Sequence, residues 1–123
     1  MSGTRLLVDT NILIYFLQGE QEVIDMLTDK DPVISFITEL ELLSFPTISP
    51  DSEETIHGLL ENCSIIDIHP KIKTLTIQFR KSSNLKLPDS IIAATAQYLE
   101  LPLLTADKQF KEIENVDVIF YEL

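Results

Sequence analysis

Cysteine is nearly missing from this chain: Cys63 is the one residue of its kind among 123. A lone thiol excludes an internal disulfide and a cysteine-rich zinc site. Its setting, LLENCSII, reads as a small half-buried residue and not as a nucleophile. Histidine is scarce as well. His57 falls on the exposed side of a helical pattern and His69 in a turn, so neither recommends itself as a metal ligand or general base. Cations are outnumbered by acids, nine to twenty, for a net charge of −11. That balance argues against a broad electrostatic grip on nucleic acid, which wants a basic face. A local basic rim remains available, because Lys71, Lys73, Arg80, Lys81, Lys86, Lys108 and Lys111 all lie in the second half. No apolar run approaches the roughly 18 residues of a membrane helix. The opening MSGTRLLVDTN has no long apolar region before a small-residue cleavage site, so a cytoplasmic protein without a membrane segment is expected.

What the chain does have is apolar content, 45% of its residues, enough for one ordinary core, and residues 1–123 are expected to form a single domain. Leu6-Leu7-Val8 is short and fully apolar, as a buried parallel strand should be, and it ends at Asp9. Asp9 or Thr10 can cap the helix that follows, whose buried side is Ile12, Leu13, Tyr15, Phe16 and Leu17 and whose stop is Gly19. Residues 20–29 carry Val23, Ile24 and Leu27 at helical spacing, and Asp31-Pro32 should break the chain before a strand at 33–35. The segment 37–45, ITELELLSF, reads as a helix apolar nearly all round, ended by Pro46, and therefore buried.

Ser49-Pro50-Asp51 opens another helix with Ile56, Leu59 and Leu60 inward, leading to a strand at 65–68 that His69-Pro70 ends. An amphipathic helix over 71–83, a loop, and a helix beginning at Pro88-Asp89 come next. Strands at 101–105 and 116–120 flank a short helix over 106–113. Apolar strands alternating with helices predict an α/β fold with a parallel sheet covered on both faces, its ligands bound beyond the strands' carboxyl ends. Asp9 and Asp107 would both project there.

Four acids stand out by position: Asp9, Glu41, Asp89 and Asp107. Taken singly, Asp9 and Asp107 could be ordinary helix caps, and Asp89 could serve only the dipole of its helix. Glu41 is harder to set aside. Ile37 and Phe45 lie four residues to either side, so its stripe is apolar, and burying an unpaired carboxylate costs several kcal/mol, which implies a cationic partner. Glu39 stands roughly 200° away around the helix and cannot point into the same pocket; it is held in reserve. An all-oxygen set of this kind selects hard cations, magnesium or manganese, because zinc sites usually include histidine or cysteine. Without a serine or histidine triad, metal-activated water is the economical nucleophile.

These segments resemble the PIN domains and, among them, the VapC-type ribonuclease toxins of prokaryotic toxin–antitoxin pairs. LLVDTNILIYFL is similar to the family's opening strand, with its first acid at Asp9. ISFITELELLSFP is similar to the segment carrying the second at Glu41, and KLPDSIIAATAQYLELPLLTADKQF carries the third and fourth at Asp89 and Asp107. Thr105 stands where the family bonds its acidic cluster, and Asn11, beside Thr10, where it orients the first aspartate. The resemblance implies a three-layer αβα sandwich with a five-stranded parallel sheet, and cleavage of RNA with Mg2+, or Mn2+ as a substitute. It also implies a homodimer and an antitoxin partner. Arg80 and Lys86, just upstream of Asp89, are the expected backbone contacts to RNA.

Three rival readings share much of this. A housekeeping RNA-processing nuclease and an idle PIN binding module keep the fold; a receiver-like signalling domain has similar length and acidity but wants an acidic pair after the first strand and a lysine after the fifth. The number of ions and the RNA target have no signature in the chain.

Overall fold

The computed structural model describes residues 3–44 and 50–122. The elements run β1 (Thr4–Val8), α1 (Thr10–Leu17), α2 (Gln21–Leu27), β2 (Lys30–Ser35), α3 (Phe36–Leu43), α4 (Pro50–Glu61), β3 (Ser64–Ile66), α5 (Pro70–Ser82), α6 (Leu87–Leu99) and β4 (Leu103–Thr105). A 3-10 turn, Lys108–Glu112, and β5 (Val118–Phe120) complete them. All strand pairs are parallel, in the order β3-β2-β1-β4-β5.

Period-two alternation distributes the strand side chains between two cores. Leu6, Val8, Ile34 and Leu104 pack on one face with Ile12, Leu13, Val23, Leu42, Ile56 and Leu60 from α1 to α4. Leu7, Val33 and Leu103 face the other way, against Ile72 and Phe79 of α5, Ile92 of α6 and Phe110 of the 3-10 turn. The result is the expected αβα sandwich. Ala93, Ala94 and Ala96 are fully buried in α6, where small side chains let the helix approach the sheet closely.

From β1 the chain works outward to β2 and β3, then returns to the other side of β1 for β4 and β5. Connections therefore leave β1 and β4 in opposite directions, and the crevice between their carboxyl ends is where open α/β sheets bind ligands. This order also differs from the 2-1-3-4-5 order of receiver-type domains, which removes that rival.

Several local expectations need correcting. Pro32 does not precede β2 but lies inside it, opposite Leu6; β3 pairs only with Val33–Ser35, so the proline stands where one side of the strand has no partner and its missing N–H breaks no ladder on that side. Helix α3 is not buried all round: Thr38 and Leu42 are its buried residues, while Leu40 is 53% exposed. A helix of eight residues over a sheet edge can cover only one of its faces. Its expected last residue, Phe45, and the Pro46 stop lie outside the described residues. The segment after β4 is a 3-10 turn instead of an α-helix, and β3, β4 and β5 are each three residues long. Gly19, at φ +84°, ends α1 in the left-handed region as the sequence predicts.

Phe110 is the one fully buried residue of the 3-10 turn and fixes that turn to the sheet. Phe110→Ala should cost about 3–5 kcal/mol by urea unfolding. Ile119→Ala, at a 42% exposed position of β5, should cost about 0.5 kcal/mol or less. Similar losses at both positions would mean that the turn is not fastened through this ring.

Candidate active site at the switch point

Asp9 follows β1 directly and is 4% exposed. Its Oδ1 accepts the Thr10 backbone N–H at 2.8 Å, and its Oδ2 accepts the Thr105 hydroxyl at 2.7 Å. Thr105 ends β4, the neighbouring strand, and its hydroxyl in turn accepts the Asp107 N–H at 3.0 Å. The Asp107 side chain then caps the 3-10 turn by accepting from the Gln109 N–H at 2.9 Å. Both aspartates thus are caps, and both also line the same cavity; the two readings open from sequence are not exclusive.

Glu41 reaches this crevice from α3. Its Oε1 lies 2.6 Å from the Thr10 hydroxyl, which also lies 3.0 Å from the hydroxyl of Thr38. Contrary to expectation, Glu41 is exposed: α3 presents its side chain at the rim, where water shares the charge, so no buried partner is needed to hold it. Glu39, on the same helix, is absent from the cavity wall. Asp89 enters from the first turn of α6, which Pro88 starts.

Together Asp9, Thr10, Asn11, Ile14, Glu41, Ser44, Asp89 and Asp107 surround a cavity of about 390 Å³. A larger cavity, about 530 Å³, lies between α5, α6 and residues 112–115. It mixes serine, amide, lysine and glutamate side chains without a comparable gathering of one charge, so volume is a poor guide and the acids are the better one.

Electrostatics tie the four acids together. Burial first, then the charges of Asp9, Asp107 and Glu41, push the Asp89 carboxyl up to about 6, with Lys86 opposing. Asp9 is also raised, first by burial; hydrogen bonds from Thr105 and Thr10 pull it back, and Asp107 and Glu41 raise it again. Among the described residues, no lysine or arginine forms an ion pair with any of the four, and the ion pair observed joins exposed His57 to Glu53 at 3.6 Å. Each of Asp9, Glu41 and Asp107 is turned to its own protein donor, and no three metal-capable side chains among the described residues close on one point.

The remaining candidates have other occupations. Arg80 donates to the Leu85 carbonyl at 2.7 Å and so braces the loop before α6. Lys86 holds the N-cap position of α6, close enough to act on Asp89. Asn11 is exposed on the cavity wall. His69 caps α5 through Nδ1 and stacks on Tyr98, with ring centroids 4.8 Å apart. Burial pushes the Cys63 thiol up to about 11, which leaves it unreactive. Sequence reasoning missed Thr38, although its place one turn before Glu41 was a usable signal.

Asp89 permits a prediction of sign. Its folded pKa is raised, so between about pH 4 and 6 the folded chain holds a proton that the unfolded chain has lost, and stability falls as pH rises through about 6. Asp89→Asn removes that loss. Because the group is only half-buried, solvent screening reduces the gain to about 1 kcal/mol at pH 7.5, and it should fade toward pH 4. Urea midpoints at both pH values measure this; an Asn variant less stable than the parent at pH 7.5 would contradict the repulsion.

A family model described as PIN domain matches residues 6–116. Among solved structures, the chain is similar to one from a toxin–antitoxin complex of Klebsiella pneumoniae, at 34% identity and a TM-score of 0.85, covering 96% of this chain and 99% of that one. FitAcB of Neisseria gonorrhoeae is 24% identical with a TM-score of 0.76, covering 94% and 96%. VapBC2 of Rickettsia felis, bound to a DNA fragment from its promoter, is 22% identical with a TM-score of 0.84, covering 97% and 100%; at such identities these two likenesses speak for fold alone. No curated protein matches the sequence. A family model spanning nearly the whole chain, together with the 34% identical relative, establishes that the chain belongs to the PIN domain family.

Proposed function

We propose that the 123 residues act as one domain, a divalent-metal-dependent endoribonuclease that hydrolyses RNA phosphodiester bonds, in the role of a VapC-type toxin. The observation that carries this reading is the gathering of Asp9, Glu41, Asp89 and Asp107 around one cavity at the switch point, with no lysine or arginine among the described residues paired to them. Asp9, Glu41, Asp89 and Asp107 are the proposed metal-binding and catalytic residues.

The donor set fits such an ion. Among the described residues every side-chain group at the cavity that could ligate offers an oxygen, burial together with the neighbouring acids moves the Asp89 carboxyl up to about 6, and each carboxylate keeps lone pairs beyond those its protein donors use. Mg2+, with Mn2+ as a substitute, supplies a lowered pKa to bound water and neutralises charge on the phosphoryl oxygens when bound. The chain's own work is positional. Thr105 and Thr10 fix both oxygens of Asp9, Thr10 holds Glu41, and the 3-10 turn holds Asp107. Ile14 is the apolar side chain on the wall, and Lys86, whose charge acts on Asp89, is the cation proposed for an RNA phosphate.

An antitoxin partner is proposed because the 34% identical relative is part of a toxin–antitoxin complex. A homodimer is proposed from the family resemblance, and Leu40, Ile68, Ile77 and Leu87, each more than half exposed, are apolar side chains that such an interface could cover. A cytoplasmic place of action is part of this proposal; no helix among the described residues is long and apolar enough to cross a membrane.

Purified protein should cut a labelled structured RNA in Mg2+ or Mn2+ and stop cutting in EDTA, and Asp9→Asn should be inactive while keeping the parent's circular dichroism spectrum. Intact RNA under both metals with a folded protein would leave an idle PIN module as the reading. Cutting that persists in EDTA would overturn the metal dependence.

A further inference from the structure

Thr38 is fully buried in α3 and makes no contact with the cavity, yet its hydroxyl is 3.0 Å from that of Thr10, which is 2.6 Å from Glu41. A threonine hydroxyl has one proton to give and two lone pairs, whereas an ionised glutamate can only accept. The Thr10 proton therefore goes to Glu41, and the Thr10 oxygen is left to accept from Thr38. The chain of donors has one direction, Thr38 to Thr10 to Glu41, and it ends on the charge. Each bond in such a chain polarises the next, and a buried start shields it from competing water.

Geometry makes the arrangement specific. Thr38 and Glu41 are three residues apart and so share one face of α3, while Thr10 comes from the first turn of α1 and bridges both. The Thr10 backbone N–H meanwhile holds Asp9. Rotation of the Thr10 side chain would thus release Glu41 while leaving Asp9 held, and Thr38 is the group that denies it that rotation.

We infer that Thr38 is a positioning residue of the acidic site, acting through Thr10 to fix the Glu41 carboxylate for divalent-cation binding. The inference rests on the proposed metal site and specifies how one ligand is set. Its loss should weaken cation binding in the range of outer-shell substitutions, about tenfold.

The test is Mn2+ binding to the purified protein, followed by titration calorimetry and by the spin resonance of free Mn2+, without RNA. Thr38→Val, nearly the same shape, should weaken binding about tenfold, and Thr38→Ser, which restores the hydroxyl, should bind as the parent does. In a Thr10→Val background, Thr38→Val should have no further effect, since its route to Glu41 is already cut. Parent-like binding by Thr38→Val overturns the inference, as does Thr38→Ser binding as weakly as Thr38→Val, or additive losses in the double variant. If the parent itself binds no Mn2+, the metal reading fails and takes this inference with it, whereas a parent that binds while the variants disobey the pattern leaves the metal reading standing.

Discussion

The hydrogen bond from Thr105 to Asp9, 2.7 Å long and buried, joins the ends of β4 and β1 at the point where the chain reverses its progress across the sheet. Backbone pairing there is short, since the register between these strands covers Leu7 with Leu103 and Val8 with Leu104. Past Leu104 the two strands are held by side chains. The same Thr105 hydroxyl takes the Asp107 N–H, so one oxygen sets the spacing of two acids from two different strands. A hydroxyl suits this task because it can donate to a carboxylate and accept from an amide at once.

Burying a carboxyl and holding like charges near it both oppose folding, and the Asp89 carboxyl, driven up to about 6 by burial first and by its acidic neighbours after it, records that opposition. The sandwich tolerates it because the fully buried side chains of its two cores do not line the cavity. Leu7, Ile12, Leu13, Ile34, Leu103 and Leu104 are all below 2% exposed and lie within the layers and not at the crevice. Strain of this kind at a crevice is common where function sets the residues, and the protein carries it as a local cost against stability supplied elsewhere.

The sequence disclosed most of the fold because its strands are short and apolar throughout and its helices amphipathic, so type could be read from period and length. It disclosed the ends of elements poorly. Pro32 reads locally as a breaker, yet β2 passes through it because β1 flanks that part of the strand and β3 does not. The burial of α3 was overestimated because composition counts apolar residues without knowing which face has a neighbour; Leu40 and Glu41 both look outward. At the cavity, Asp9 and Asp107 could be read from strand ends, Glu41 from the apolar stripe around it and Asp89 from the start of its helix, and the family resemblance then joined the four. Thr38 was missed although it stands one turn before Glu41, because that spacing shows a shared helix face and not the partner on α1 through which the two are joined.

The four acids are not equivalent, and the difference follows from how each is held. Asp9 has both oxygens bonded and is buried, and Asp107 has its backbone bonded to Thr105 and its carboxylate to the 3-10 turn, so this pair is fixed by the sheet. Glu41 is exposed and has one hydroxyl for a hold, and Asp89 depends on the placement of α6, whose loop Arg80 braces through Leu85. The crevice thus has one side set by the sheet at β1 and β4, and another where Glu41 is held only through the hydroxyls of Thr10 and Thr38 and Asp89 only by the seat of α6. A glutamate has several rotatable bonds, so the hydroxyl chain that holds it does more to set its position than the helix backbone does. The two sides depend on different parts of the fold, the first on strand pairing and the second on how α1, α3 and α6 pack around the cavity.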